Sequence, residues 1–418
     1  MMRRTILSTS ATLTAAAVCA GLVLHTSAAA TAPPAHGAAV SAGSDRGRLV
    51  SAEHLRTLSA KETRRELARA GFDRHPVRYG VDTYRLVYHT IDAQGRPTTA
   101  SGLLVLPRNG VRRLRTVSFD HGTESYKGDA PSMGQDGFGA APAITYGSAG
   151  FASAAPDYLG LGLGPGFHPW MDVPSEATAS LDMLRAARAF VPRTGRELER
   201  RVLVTGFSQG ASAAMGLGRT LESGGDPWFR LGALAPISGA YDFQSAELPA
   251  LLNGGVEAKS GALYTAYFLV AYNRLHHLYD SPSQVFQAPY DRTIEQLFDG
   301  SHTGQQLFAG TPGTVDALLT PYGREMLLHP AGPLAAALRV LDGTCTDWTP
   351  QAPIRLYLSG GDEQAVNANS HHCQMALRSH GVNAPLINLG THEYQGSRHL
   401  GSNVSGTTAV VRWFSRLR

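Results

Sequence analysis

Five residues, Gly206-Phe207-Ser208-Gln209-Gly210, constrain this chain more than any other stretch. Residues 201–205 before them form a short apolar run, rich in β-branched side chains, that reads as a buried strand. Residues 211–217 after them read as the start of a helix. A strand that turns into a helix so abruptly leaves no room for large side chains, so small residues must flank the serine. The serine is then held in a strained conformation, its hydroxyl pointing out of the top of a sheet, as in a nucleophile elbow. The pattern fixes only three positions in a chain with 46 glycines, so the strand and helix around it are what give it meaning.

The N-terminus has a separate character. Arg3-Arg4 precede a mostly apolar stretch over residues 6–24, and Ala28-Ala29-Ala30 offer the small residues a signal peptidase needs. Ser8, Thr9, Ser10, Thr12 and Thr14 interrupt the apolar stretch and argue against a membrane anchor. Residues 1–30 are therefore expected to be a signal peptide and the protein to be secreted. Residues 31–50, rich in Ala, Pro, Gly and Ser, are expected to be a flexible linker. The rest, 51–418, is long enough for one large folded domain. Hydrophobic residues make up 43% of the chain and charged residues 17%, which excludes a disordered protein. The net charge is only +4 and no dense basic run exceeds pairs such as Arg64-Arg65, so no nucleic-acid partner is expected. After removal of a leader containing Cys19, Cys345 and Cys373 form an even pair, a candidate disulfide in an oxidising compartment.

Along the domain, residues 51–69 read as a helix with Ser51 as its cap. Residues 77–91 and 98–106 read as two strands joined by the turn Asp92-Ala93-Gln94-Gly95. Strands and helices then alternate. Strands fall at 114–119, 151–155, 201–205, 231–237, 354–358 and 386–389. Helices fall at 176–191, 211–217, 369–379 and 407–417. An antiparallel start followed by β-α alternation predicts an α/β fold: a mostly parallel central sheet with helices on both faces. Residues 241–349 break the rhythm and are too many for a loop. Their helical patterns and aromatic residues, including Tyr264, Tyr267, Phe268 and Tyr272, predict a helical cap inserted over the strand ends.

Acyl transfer by a serine needs a base, a carboxylate to orient the base, and donors for the oxyanion. On such a sheet these parts lie at the carboxyl ends of strands. Asp362 follows the 354–358 strand, whereas Asp347 lacks a preceding strand and Glu363 is expected to point elsewhere. For the base, His399 is preferred, in a loop leading into the closing helix, with His392 as the alternative. The amide of Gln209 is one expected oxyanion donor. The loop after the 114–119 strand should supply the other, from Thr123 or alternatively Glu124, because Gly122 allows close backbone approach. His371-His372 suggest no metal pair, since adjacent helical residues face different ways. Neither metal nor cofactor is expected.

The order Ser208, Asp362, His399 behind a Gly-x-Ser-x-Gly turn resembles the α/β-hydrolase superfamily over most of the chain from about Val77. Within it, Ala155-Pro156-Asp157-Tyr158-Leu159-Gly160-Leu161-Gly162, His168-Pro169 and the stretch Ser180-Leu181-Asp182-Met183-Leu184-Arg185-Ala186-Ala187-Arg188 are similar to the secretory lipase group, as is the inserted cap. The resemblance implies a secreted serine esterase or lipase with Ser208, Asp362 and His399 as triad. That group carries an acidic residue followed by serine in the oxyanion loop, where Glu124-Ser125 stand here. The expected substrate is a small-molecule or lipid ester with an apolar group under the cap, and the cap is where transient contact with a lipid interface would occur. A secreted serine peptidase acting on short peptides is the alternative. It would need an acidic site for an amino terminus, and Glu247, Asp280 and Asp291 are the cap residues available for it.

Overall fold

A computed structural model describes residues 45–134 and 137–417. The expected signal peptide lies outside the described residues.

Nine strands form one sheet in the order β1-β2-β3-β5-β4-β6-β7-β8-β9. They are β1 (Leu49–Leu58), β2 (Val81–Ile91), β3 (Pro97–Pro107), β4 (Arg113–Asp120), β5 (Ala152–Pro156), β6 (Glu197–Phe207), β7 (Arg230–Ile237), β8 (Leu356–Leu358) and β9 (Leu386–Asn388). The first three and β5 pair antiparallel, and from β5 through β4 to β9 every pairing is parallel. The central strands β4, β6 and β7 are nearly continuous runs of buried residues, as expected for strands covered on both faces.

The helices that position the site are α1 (Ala60–Arg69), α2 (Ala141–Ser148), α3 (Val173–Phe190), α4 (Gln209–Glu222), α5 (Leu248–Asn253), α6 (Ala258–His276), α7 (Gly332–Thr346), α8 (Ala368–Ser379) and α9 (Arg398–Phe414). Side chains of α3 and α4 pack with Leu104, Val202 and Leu234 on one face of the sheet. Those of α2 and α9 pack with Val105, Val117 and Ala235 on the other. The α/β-hydrolase architecture expected above is thus present, with its cap. Residues 240–341 build a third apolar core of their own, around Phe243, Leu251, Phe268, Tyr272 and Leu338. Trp170 and Met171, from the loop before α3, complete it.

Three expectations are corrected. The helix predicted for 51–69 is a strand followed by a helix. Inward residues of β1 recur every third position, and register shifts near Ser51 and His54 explain it: the bulges stretch a two-residue alternation into a spacing that mimics a helix. The real start signal is Ser59, whose hydroxyl and Glu62 form a reciprocal capping box. Residues 31–44 of the predicted linker lie outside the described residues, and its last stretch, 45–50, is part of the fold. Arg46 pairs with the buried carboxylate of Asp182 at 3.1 Å, and the Gly47 amide donates to the His89 carbonyl at 2.8 Å. The closing helix starts at Arg398 and not at 407, so His399 lies in its first turn. Ser397 caps it by accepting from the Leu400 amide. A Cβ on Gly401 would stand 1.9 Å from the His392 carbonyl oxygen, so glycine here marks close packing within a helix and not its absence.

Cys345, at the end of α7, is bonded to Cys373 in α8. The bridge ties the last cap helix to the flank of the sheet. Closing a loop of 28 residues in the unfolded chain is worth about 3–4 kcal/mol. Urea unfolding with and without reductant should therefore differ by about that amount; coincident curves would show that the bridge contributes nothing.

Candidate active site

The turn from β6 into α4 is built by backbone contact. A Cβ on Gly206 would lie 2.0 Å from the Gly210 carbonyl oxygen, and one on Gly210 would lie 2.0 Å from that of Asp120. Neither position tolerates a side chain. Ser208 between them has φ 56° and ψ −124°, a conformation that L residues rarely adopt and that this packing enforces. Its amide donates to the Ile237 carbonyl at 2.9 Å, which fixes the turn to β7.

From this point a hydrogen-bonded chain runs outward. Ser208 Oγ is 2.8 Å from His399 Nε2. His399 Nδ1 lies 2.9 and 3.0 Å from the two carboxylate oxygens of Asp362. Asp362 Oδ1 also accepts from the amides of Gln364 and Ala365, at 3.0 and 2.9 Å. The carboxylate therefore orients the ring and fixes the proton on Nδ1, leaving Nε2 to accept from serine. Burial pushes the Asp362 carboxyl up, but the neighbouring His399 charge and the amide donors outweigh it and hold the group below its usual range. Burial likewise pushes the imidazole of His399 down, yet the charge and hydrogen bond of Asp362, aided by Glu363 and Glu247, leave it raised.

The other candidates are placed as follows. His392 is exposed and away from this chain; it supplies only its carbonyl, packed against Gly401. Asp347 lies just past α7. Glu363, expected to point elsewhere, has a structural task beside His399. Its carboxylate accepts from the Ser397 hydroxyl and from the Arg398 amide, the latter at 3.1 Å, and so caps the helix that carries His399. Thr123, Ser208 and Gln209 border one cavity, and Thr123, Glu124 and Ser208 border a second, larger one. The hydroxyl of Thr123 accepts from the Trp170 indole at 3.0 Å, and the Glu124 carbonyl accepts from Tyr267 Oη at 3.0 Å. The loop is thus pinned to the cap at two successive residues. Among the described residues no group of three or more His, Cys, Asp or Glu side chains could hold a metal.

Behind the turn lies a buried polar cluster that residue spacing did not reveal. The side chain of Gln209 donates one amide hydrogen to Glu176 Oε1, at 2.6 Å, and the other to His168 Nε2, at 2.8 Å. His168 Nδ1 donates to the Leu159 carbonyl at 3.0 Å, which leaves Nε2 free to accept. Glu176 Oε1 also accepts from the Met171 amide. Burial pushes the carboxyl of Glu176 well up, and it pushes the imidazole of His168 down to about 3, so that ring is neutral at ordinary pH. The motif at 155–162 serves the same region. The Asp157 carboxylate accepts from the hydroxyls of Ser101 and Ser132 and from the Ser132 amide. His168-Pro169 and Asp157 were visible as a pattern; their bonding partners come from distant segments and were not.

No protein-family model and no curated protein matches the chain. Solved structures do. A protein described as a hydrolase, from Legionella pneumophila, superposes with a TM-score of 0.79 at 22% identity, covering 88% of this chain and 98% of its own. The rice cell wall degrading esterase LipA of Xanthomonas oryzae has a TM-score of 0.77 at 27% identity, covering 89% of this chain and 98% of its own. Candida antarctica lipase A in its closed state is more remote, with a TM-score of 0.64 at 14% identity over 90% of this chain and 83% of its own. The chain therefore has the α/β-hydrolase fold, and its structural neighbours are esterases and lipases.

Gly210→Ala should destabilise the fold by about 1–3 kcal/mol through forced displacement of β4 from α4, whereas Gly224→Ala, with open space around it, tests only the cost of a positive φ. Equal unfolding midpoints for Gly210→Ala and the native protein would contradict the close contact.

Proposed function

We propose that this protein is a secreted serine hydrolase of carboxylic esters. The observation that carries the reading is the unbroken hydrogen-bonded chain from Ser208 through His399 to Asp362 at a strained turn open to a cavity of about 380 Å³. Ser208 Oγ attacks the ester carbonyl while His399 Nε2 takes its proton. The oxyanion is received by the backbone amides of Gln209 and Thr123, with the N-terminal end of α4 adding its partial positive charge. His399 passes the proton to the departing alcohol. Water activated by the same ring then releases the acid and restores the serine. Asp362 keeps the imidazole in the required tautomer throughout. Export is supported by the apolar N-terminal segment and by the disulfide, which suits an oxidising compartment.

The peptidase alternative rested on an acidic partner for an amino terminus. Asp280 is exposed and paired with His277, and neither it nor Asp291 borders the cavities at Ser208. Glu247 does border one of them. Burial, opposed by hydrogen bonds from Asn369 and Val366, pushes its carboxyl up to about 8, and its Oε2 is already taken by Asn369 Nδ2 and the Val366 amide. The ester reading is therefore preferred, and p-nitrophenyl esters assayed beside aminoacyl anilides decide between them. Ester turnover that survives in Ser208→Ala would end the proposal; a loss of several orders of magnitude is expected.

The pH dependence follows from His399. The base works only when neutral, and its raised pKa keeps it protonated to higher pH. The acid limb of kcat/KM should therefore have its midpoint above the value of about 6.5 of a free imidazole. In Asp362→Asn the raising charge is gone while burial remains, so the midpoint should move down as kcat falls by about three to four orders of magnitude. A midpoint that stays in place in that variant would count against the assignment.

A further inference from the structure

Two cavities meet at Ser208, and they are unequal. One, of about 380 Å³, borders His399, Leu400 and Asn403, and also Thr123 and Glu124. The other, of about 30 Å³, borders Gln209 and Thr123 but not His399. Their positions relative to the base assign their occupants, given the ester-hydrolase reading above, on which this inference rests. The departing alcohol must take its proton from His399 Nε2, so it lies in the large cavity. The substituent on the carbonyl carbon then lies in the small one, which borders Gln209 and lacks His399.

We propose that the substrate is an ester of a short acyl group with a bulkier alcohol. A space of about 30 Å³ holds roughly two water-sized groups, which corresponds to an acyl group of about two to four carbons. Its walls are not free to retreat. Trp170 is held to Thr123 by its indole N–H and stacks on Tyr264 and Tyr267, with ring planes within 12° and 7° of parallel. The Tyr264 hydroxyl donates to Gln364 Oε1 at 2.5 Å. Phe243 stacks on Phe268 at 4.8 Å, and its amide is held by Asp342 Oδ1 at 2.6 Å. Leu251 is 3% exposed within the cap core. Glu247 also borders the cavity, its Oε2 accepting from Asn369 Nδ2 at 2.6 Å and from the Val366 amide at 3.1 Å. A longer chain would have to displace packed rings and then lie against this carboxyl, and both cost free energy. The residues lining the large cavity include the aromatic Phe138 and Tyr394 and the polar Gln364, Gln395 and Asn403. That mixture accepts aromatic or hydroxylated alcohols.

The test is an acyl-length series on one alcohol: p-nitrophenyl acetate, butanoate, octanoate and laurate. The native protein should show kcat/KM falling at least about tenfold between butanoate and octanoate. Leu251→Ala and Phe243→Ala, placed on different elements of the wall, should each raise the octanoate-to-acetate ratio about tenfold, with unfolding curves recorded to confirm folding. Octanoate or laurate cleaved as well as acetate by the native protein would overturn the short-acyl inference and leave the ester-hydrolase reading intact. An unchanged ratio in a folded wall variant would overturn it too. If the folded native protein cleaves none of the four esters, the ester-hydrolase reading itself fails, and this inference with it.

Discussion

Everything at the carboxyl end of the sheet depends on one contact, that of the Gly210 backbone with the carbonyls of Asp120 and His121. It brings the start of α4 against the end of β4 with nothing between them. Three consequences follow. Ser208 has no choice but its strained conformation. The amide of Gln209 comes to share a cavity with the loop that carries Thr123. The Gln209 side chain, forced inward, meets His168 and Glu176 in a fully buried cluster. The imidazole and the carboxyl there take both of its amide hydrogens, so the backbone at the turn is fixed from the side chain as well as from the sheet.

His399 is placed by a second, independent set of bonds. Asp362 and Glu363 are neighbours in sequence with divided tasks. The first orients the imidazole of His399; the second caps the helix that carries it. The acid loop thus determines both the ring's orientation and the position of its Cα. Because Glu363 acts on backbone and on Ser397, its removal would move His399 as a whole instead of rotating it, a distinction between placement and orientation that the two carboxylates make visible.

Much of this was legible in the sequence, for identifiable reasons. The Gly-x-Ser-x-Gly turn is a local steric requirement, so it shows in consecutive residues. The β-α alternation shows because each buried strand is an apolar run. The order of serine, aspartate and histidine behind successive strands follows from topology, and the structure brings those three side chains together. What stayed hidden was either masked by irregularity or non-local. The β1 bulges gave a strand the spacing of a helix, and Gly401 made the first turns of α9 read as a loop. The partners of Gln209 lie 33 and 41 residues away in sequence, and that of Glu247 lies 122 away. No spacing rule connects them, because a buried polar group needs a partner in space and the fold supplies it from any segment.

The pinning of the loop that carries Thr123 and Glu124 has a consequence for motion of the cap. Trp170 and Tyr267 grip two successive residues of that loop while stacking on each other and, through Tyr267, on Phe298. A cap that swung away from the sheet would therefore pull on the backbone of Thr123 and Glu124, which borders the cavities at Ser208. On the other flank His399, Tyr394 and Gln395 border the larger space, where no such grip of the cap on the loop is described.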